Sequence, residues 1–460
     1  MKRNLLSLAV AASAAGVAGV STAQMYINSE GTGEALVFPF YSAQNGNDTS
    51  IHIVNTTADF KAVKVRMLEG TESLETLSFN LYMSPQDHFS FAITADGEGA
   101  KLITNDTSCT VPAITGPVSF TDLMWADEAG TSESREQMGH VEVIEMGQID
   151  ADSATAADIE HVSGTPADCA QLVTNWSVVS DVEGAWYSEA DAGEEDPGVG
   201  TTDFNAAWNG GGLYGVASVI NVAEGGQWGY NAVAIEDLVD ANSTGSQLHY
   251  PPHVGGPDFD DAALSLTANI SMGGVQTTYT GSIASPADAV SALFMTASLS
   301  NDFLSDTSLG TLTDWVITMP TKGNTIPFSS DACQPVAMLA FDREEGTQDT
   351  SAADSLSLCA GTNVVHFGGA SATNSASNLA SAQSYVDSLG DGWAELDLTN
   401  GEDSDRVLPG AVSGSDELLA GLPVTGFAVS ELSLGSLGGV LANYQQSWSH
   451  KTSVVTSSSD

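Results

Sequence analysis

Basic side chains are scarce in this sequence, which has 11 lysines and arginines against 59 aspartates and glutamates among its 460 residues. The formal net charge at pH 7 is −48, and a field of that sign repels nucleic acids and anionic lipid surfaces. It attracts divalent cations, whose ligands in proteins are carboxylate oxygens. Because salt shortens the range of charge repulsion to about 8–10 Å, we expect the folded chain to work in a salty, cation-rich medium. The alternative is that the acids serve solubility alone.

Catalytic motifs are also missing from the sequence. It has no H-E-x-x-H motif, no G-x-S-x-G nucleophile elbow and no phosphate-binding Walker loop. Among the eight histidines, only His249 and His253 are four residues apart, and Pro251 and Pro252 between them place the pair in a loop. The sequence therefore predicts a protein that is not an enzyme, with no catalytic and no cofactor-binding residues.

Cysteine is rare, and the four present are Cys109, Cys169, Cys333 and Cys359. An even number of cysteines in an exported chain predicts two disulfides, and four cysteines allow three pairings. We predict Cys109–Cys169 and Cys333–Cys359, because pairing nearest neighbours closes the shortest loops. A metal site is the alternative, which the lack of any C-x-x-C spacing disfavours.

The N-terminal segment has the layout of a secretory signal peptide over residues 1–23. Lys2 and Arg3 are basic, residues 5–20 are apolar, and Ser21 and Ala23 are small residues at the −3 and −1 positions of a cleavage site. A membrane anchor is the alternative, but a spanning helix needs about 20 strongly apolar residues. The segment predicts export and an extracellular location at the cell surface.

Residues 34–94 alternate between apolar and polar side chains with a period of two. Val63, Val65 and Met67 share one face of such a run, while Lys64 and Arg66 share the other. Short alternating runs separated by turn residues are typical of antiparallel sandwiches. The chain is thus predicted to be mainly β, with two or more antiparallel β-sandwich (Ig-like) domains and a loop-rich, partly helical insertion.

The composition changes along the chain and predicts six segments. Short helices are expected near residues 136–146 and 167–176, in a stretch rich in Ala, Asp, Glu, Ser and Gly. In order, the predicted segments are the signal peptide (1–23), an N-terminal β-sandwich (24–125), a loop-rich acidic insertion (126–210), a second β-sandwich (211–330), a C-terminal β region (331–450) and a disordered tail (451–460).

Clusters of acids beside glycine or proline are candidate Ca²⁺ sites. Hard cations take six to eight oxygen ligands from flexible loops, and two clusters in this sequence fit that description: Asp258, Asp260 and Asp261, and Glu194, Glu195 and Asp196. The alternative for each cluster alone is a solvated surface. A pair of carboxylates also suits a glycosidase, although sequence does not show which acids are neighbours in space.

Several blocks resemble an exported surface-protein family of proteobacteria. They include EALVFPFY at residues 34–41, AVKVRMLEG at 62–70, NLYMSP at 80–85 and GWAELD at 392–397. The chain is similar in acidity, signal peptide and β-rich body to the S-layer proteins of marine gammaproteobacteria. That resemblance implies a two-dimensional lattice on the outer membrane and a contribution to the biofilm matrix, and it carries over no catalytic residue.

Three functional hypotheses follow from the sequence. The first is a structural surface-layer protein that self-assembles edge to edge as a homo-oligomer, with Ca²⁺ bridging acidic contacts and lipopolysaccharide as an envelope partner. The second is a secreted adhesin or ligand-binding matrix protein that forms no lattice. The third is a secreted hydrolase, which requires a pocket with paired carboxylates.

Overall fold

The computed structural model describes residues 24–122, 133–176, 178–179, 182–183, 186, 203–205, 210–240, 248–252, 256–281, 285–305, 310–322, 333–344, 346–349, 356–368, 377–386, 389–399, 406–408, 410–413, 417–437 and 440–458. Within these residues the chain is mainly β, and four large sheets, numbered I to IV below, form two sandwiches. The predicted fold class is confirmed.

Sheets I and II form the first sandwich, and all their strand pairs are antiparallel. Sheet I has seven strands in the order Tyr26–Ile27, Val233–Glu236, Ala35–Ser42, Met138–Ile149, Phe60–Glu69, Glu75–Met83 and Cys109–Val111. Sheet II has six strands in the order Gly226–Asn231, Leu213–Asn221, Asn47–Asn55, His88–Asp96, Gly99–Ile103 and Val118–Ser119. Their facing side chains, among them Phe38, Ile51 and Phe89, form one buried apolar core.

Sheets III and IV form the second sandwich around the fully buried Trp315. Sheet III has five strands in the order Gln383–Val386, Thr362–Gly368, Thr311–Thr318, Thr425–Leu437 and Val440–Ser449. Sheet IV has the order Thr347–Asp349, Gln334–Asp342, Gly392–Asp397, Ser298–Phe303 and Lys451–Ser453, and Leu356–Leu358 also pairs with the second of these.

Short elements cover the face of sheet I that points away from sheet II. Among the described residues, three α-helices contribute to this cover: Ala154–Ile159, Cys169–Asn175 and Pro286–Phe294. A 3₁₀ helix, Glu133–Gln137, packs instead against strand Gly99–Ile103 of sheet II. Two three-stranded sheets consist of Thr267–Met272, Val275–Gly281 and Gly410–Val412, and of Val407–Leu408, Glu417–Ala420 and Val455–Ser458. Three two-stranded pairs complete the described part of the chain: His161–Val162 with Thr165–Pro166, Val178–Val179 with Val182–Glu183, and Met295–Thr296 with Leu422–Pro423.

The two sandwiches share a further apolar cluster that includes Phe40, Trp228, Val316 and Phe427. Polar contacts reinforce this junction. The Asn47 side-chain amide of the first sandwich donates to the backbone oxygens of Asn378 (2.7 Å) and Leu379 (3.0 Å). The second sandwich is therefore fixed to the first by both packing and hydrogen bonds.

Both predicted disulfides are present, Cys109–Cys169 and Cys333–Cys359. The first ties the edge strand Cys109–Val111 of sheet I to helix Cys169–Asn175, close to the helix predicted near residues 167–176. The pairing of nearest neighbours is confirmed.

The strands do not follow the predicted segment boundaries. Met138–Ile149, expected to be helical within an insertion, is an inner strand of sheet I. Eleven of its twelve residues are buried, because sheet I has apolar cores on both faces. A strand buried on both faces loses the polar–apolar alternation by which strands are recognised. Strand Leu213–Asn221, assigned to a second sandwich beginning at residue 211, pairs with Asn47–Asn55 of the first.

The predicted disordered tail is also wrong over most of its length. Lys451–Ser453 pairs with Ser298–Phe303 and Val455–Ser458 pairs with Glu417–Ala420. Ser and Thr are β-compatible when a neighbouring strand supplies hydrogen bonds. The predicted signal peptide at 1–23 lies outside the described residues. No helix among the described residues has the length and hydrophobicity that a membrane crossing requires.

Candidate assembly surface

The candidate Ca²⁺ residues Asp258, Asp260 and Asp261 lie in one loop. Each carboxylate accepts a hydrogen bond from a backbone N–H of the loop or from the Ser285 hydroxyl. Asp258 Oδ1 accepts from the Asp260 backbone N–H at 2.8 Å, and Asp261 Oδ1 accepts from the Ala263 N–H at 2.9 Å. Asp260 Oδ1 accepts from Ser285 Oγ at 2.8 Å. Burial raises the pKa of Asp261 above its ordinary value. These contacts explain the loop conformation without an ion.

The second candidate cluster, Glu194, Glu195 and Asp196, lies outside the described residues. Over the described ranges, no group of three or more His, Cys, Asp or Glu side chains is arranged to hold a metal ion. The binding of Ca²⁺ to either cluster stays a prediction.

The few basic side chains are mostly internal. Of the nine lysines and arginines after residue 23, six are buried or nearly so: Lys61, Lys64, Arg66, Arg135, Lys322 and Arg406. Several pair with buried acids, as Arg66 does through Nη1 with Glu142 Oε2 at 2.7 Å and through Nε with Glu75 Oε2 at 3.0 Å. The three remaining bases, Lys101, Arg343 and Lys451, are the ones left to balance a surface rich in carboxylates.

One sheet edge differs from the others in length. Natural sheets protect their edges with short strands, because a long edge offers free backbone groups to another chain. Within the described residues, the other seven ends of sheets I to IV are strands of two to six residues. Strand Val440–Ser449, which ends sheet III, has ten residues. We call it the long edge strand.

The long edge strand is anchored on one face and exposed on the other. On the anchored face, Asn443 and Ser447 donate to the backbone oxygens of Glu224 and Gly229 at the edge of sheet II. On the other face, Tyr444 and Trp448 are 61% and 48% exposed. Side chains four residues apart on a strand are separated by about 13 Å. The strand therefore presents two aromatic rings to solvent from a firmly held backbone.

A cavity of about 770 Å³ lies between the three-stranded sheet that contains Thr267–Met272 and the second sandwich. Its lining is apolar and neutral polar, with Tyr26, Asn269, Phe294 and His450 among its members. Burial lowers the pKa of His450 to about 4, so this imidazole is neutral at pH 7. No acid is among the described residues that line the cavity, so it lacks the paired carboxylates that the hydrolase hypothesis requires.

His249 is buried in an aromatic cluster and does not form a surface metal site. It lies against Trp176 and Phe204, with ring centroids 4.9 and 4.4 Å away, and its Nε2 is 2.9 Å from the phenol oxygen (Oη) of Tyr82. Burial lowers the pKa of His249 to about 3. His253 lies outside the described residues. The position of His249 fits a neutral core residue.

The pKa of Glu236 gives a testable pH dependence. Burial and the nearby Asp237 and Glu145 carboxylates raise it to about 7 from an ordinary value of 4.5. The fold favours the neutral acid, so this contribution is complete below about pH 4.5 and is lost as pH rises through about 7. We expect Glu236→Gln to match the wild type at pH 4.5 and to exceed its unfolding free energy by about 1 kcal/mol at pH 8, after discounting for solvent screening.

Urea unfolding at both pH values measures this difference. Glu30, which is exposed, provides the control substitution Glu30→Gln, which should have nearly the same unfolding free energy as the wild type at pH 8. Equal stability of the Glu236→Gln variant and the wild type at pH 8 would contradict the assignment.

Comparisons of the chain with protein-family models, curated proteins and solved structures give no match. A function for this chain is therefore argued from its sequence and from the positions of its described side chains. Sequence reasoning missed the long edge strand, although Tyr444 and Trp448 are β-favouring aromatic residues at positions that share one face of a strand.

Proposed function

We propose that this chain is a structural protein of a bacterial cell surface whose copies associate edge to edge into a layer. The long edge strand, with Tyr444 and Trp448 exposed, is the observation that carries the proposal. Backbone pairing at a free edge supplies affinity, and alternate side chains supply specificity. Aromatic residues are also the side chains that most often dominate the energetics of interfaces.

The distribution of charge supports a role for cations in this association. Since six of nine bases are internal, two copies that approach each other bring together surfaces dominated by carboxylates. Divalent cations relieve such repulsion by binding oxygens from both sides. Assembly that requires Ca²⁺ and that a chelator reverses is the expected behaviour.

Export and an extracellular location belong to the same proposal. Two disulfides are compatible with an oxidising compartment. Lipopolysaccharide of the outer membrane is the proposed attachment partner, and the biofilm matrix the proposed setting, in keeping with the resemblance to S-layer proteins. The proposal assigns no catalytic role to any residue.

The test compares Tyr444→Lys/Trp448→Lys with the wild type in light scattering during a Ca²⁺ titration. Lysine on an edge strand opposes pairing with another strand. We expect the wild type to assemble and the double variant to need at least about tenfold more protein, since each lost interface aromatic costs about 1–2 kcal/mol.

The matched control is Trp393→Lys/Leu339→Lys, which changes charge equally. Trp393 and Leu339 are 44% and 38% exposed, but both lie on inner strands of sheet IV. This control should assemble like the wild type. A wild type that stays monomeric at every Ca²⁺ concentration, or equal assembly of all three proteins, would refute the edge-to-edge proposal.

A secreted adhesin is the second candidate, favoured by a different observation. Phe341 and Trp393 stack on the outer face of sheet IV, with ring centroids 4.4 Å apart and planes at 12°. Stacked aromatic faces in solvent offer a platform for the flat face of a sugar ring. Glycan binding by a monomer, lost in Trp393→Ala and retained in Trp448→Ala, would favour this candidate over the layer.

A further inference from the structure

Two histidines that are far apart in sequence meet on the outer face of sheet II. His52 Nδ1 and His88 Nε2 are 3.1 Å apart, and the ring centroids are separated by 5.3 Å. The residues lie on the paired strands Asn47–Asn55 and His88–Asp96, where His52 is opposite Ser90 and His88 is opposite Val54. The two imidazoles are therefore diagonal neighbours on one face.

The strands hold this pair from below. Residues between and beside the histidines, such as Ile51, Ile53 and Phe89, point to the opposite face and are buried in the core of the first sandwich. A sheet with a packed face fixes strand register, because a slip by one residue would expose that face. The positions of the two imidazoles are thus set by the core and not by a loop.

The separation of the two nitrogens suits a shared metal ion. Zinc binds imidazole nitrogen at about 2.0–2.1 Å, so two such nitrogens on one ion are about 2.9 Å apart at a right angle and about 3.3 Å apart at the tetrahedral angle. The observed 3.1 Å lies between these values. His88 is exposed and His52 is partly exposed, so an ion from solution has access.

A neighbouring hydroxyl can accept a hydrogen bond from the tautomer that binding requires. His52 Nε2 is 3.1 Å from Ser50 Oγ. The tautomer with its proton on Nε2 donates to that oxygen and leaves a lone pair on Nδ1, directed toward His88. Histidines that bind metals usually have their second ring nitrogen held in this way. Burial, and then the proximity of His88, also lower the pKa of His52.

We propose that His52 and His88 form a binding site for a divalent transition-metal ion, Zn²⁺ or Cu²⁺, with water in the remaining coordination positions. Imidazole suits these metals, whereas Ca²⁺ and Mg²⁺ prefer oxygen. The site is therefore distinct in chemistry from any carboxylate site, and the net charge of −48 raises the local concentration of its ion. It does not depend on the proposed function.

The experiment is a Zn²⁺ or Cu²⁺ titration by isothermal calorimetry in the presence of excess Ca²⁺, which occupies the oxygen sites. We expect one ion to bind to the wild type, and at least about tenfold weaker binding after either His52→Ala or His88→Ala, since each removes one of two protein ligands. Because a protonated imidazole has no lone pair for a metal ion, binding should weaken as the pH falls.

His161→Ala is the matched control. His161 is also partly exposed, and its Nδ1 lies 3.7 Å from Oδ1 of Asp87, the residue that precedes His88. His161 itself is not part of the His52–His88 pair. This variant should bind like the wild type. Circular dichroism checks that the alanine variants are folded. Equal affinity and stoichiometry in the wild type and in a His52→Ala/His88→Ala variant, or the absence of binding that resists Ca²⁺, would overturn the proposal.

Discussion

Replacing Lys61 with methionine is expected to lower the unfolding free energy by about 3–5 kcal/mol. Lys61 Nζ lies 2.8 Å from Glu145 Oε1, and both side chains have at most 1% exposure. Methionine fills a similar volume but leaves the Glu145 carboxylate buried without its counter-charge. The Gly211 backbone N–H, 2.9 Å from Glu145 Oε2, still donates to the carboxylate but carries no counter-charge.

Chemical unfolding of two further variants isolates the cause. In Lys61→Met/Glu145→Gln the unpaired charge is removed while an oxygen is kept for Gly211, so most of the lost stability should return. Lys101→Met breaks an ion pair with Asp96 (3.1 Å) that is partly exposed, and it should cost far less stability than Lys61→Met, because solvent screens exposed charges. Similar losses for Lys61→Met and Lys101→Met would contradict a special cost of burial.

Removal of the Cys109–Cys169 disulfide should cost about 4 kcal/mol. The bridge closes a separation of 60 residues, and in the chain-entropy description a longer closed loop restrains the unfolded chain more strongly. Cys109 is also 1% exposed within the core on the outer face of sheet I. The Cys109→Ser/Cys169→Ser variant should therefore unfold at a clearly lower denaturant concentration than the wild type.

The second disulfide provides the comparison. Cys333–Cys359 closes a separation of 26 residues, for which the same description gives about 3.5 kcal/mol. Cys333→Ser/Cys359→Ser should thus lose slightly less stability. An unchanged unfolding midpoint for the Cys109→Ser/Cys169→Ser variant would show that the loop it closes is restrained by other contacts.

Local pattern was enough to predict many of the strands, and cysteine spacing both disulfides, but neither predicted the order of the strands. Alternation around Val63 and Val65 predicted a strand correctly, because this signal depends only on neighbouring residues. The place of Leu213–Asn221 beside Asn47–Asn55 depends on contacts more than 150 residues apart. Sequence distance hides such partners, and the predicted boundary at residue 211 separated two strands that lie side by side.

The candidate sites show the same limit. His52 and His88 were each visible as single histidines, yet their pairing follows from strand register, which the sequence alone did not supply. Buried acids such as Glu142 and Glu145 made an inner strand resemble an acidic insertion. Their burial becomes intelligible only once Arg66 and Lys61 are seen on the adjacent strand.

The interior location of most lysines and arginines also bears on how the folded protein responds to proteases. Trypsin-like proteases cut after these two residues and need an accessible, extended backbone around them. In the folded chain, Lys61, Lys64 and Lys322 lie beneath the surface, which leaves few points of attack. Because Lys101, Arg343 and Lys451 are the bases left outside the interior of the described residues, we expect trypsin-like proteases to cut the folded chain slowly.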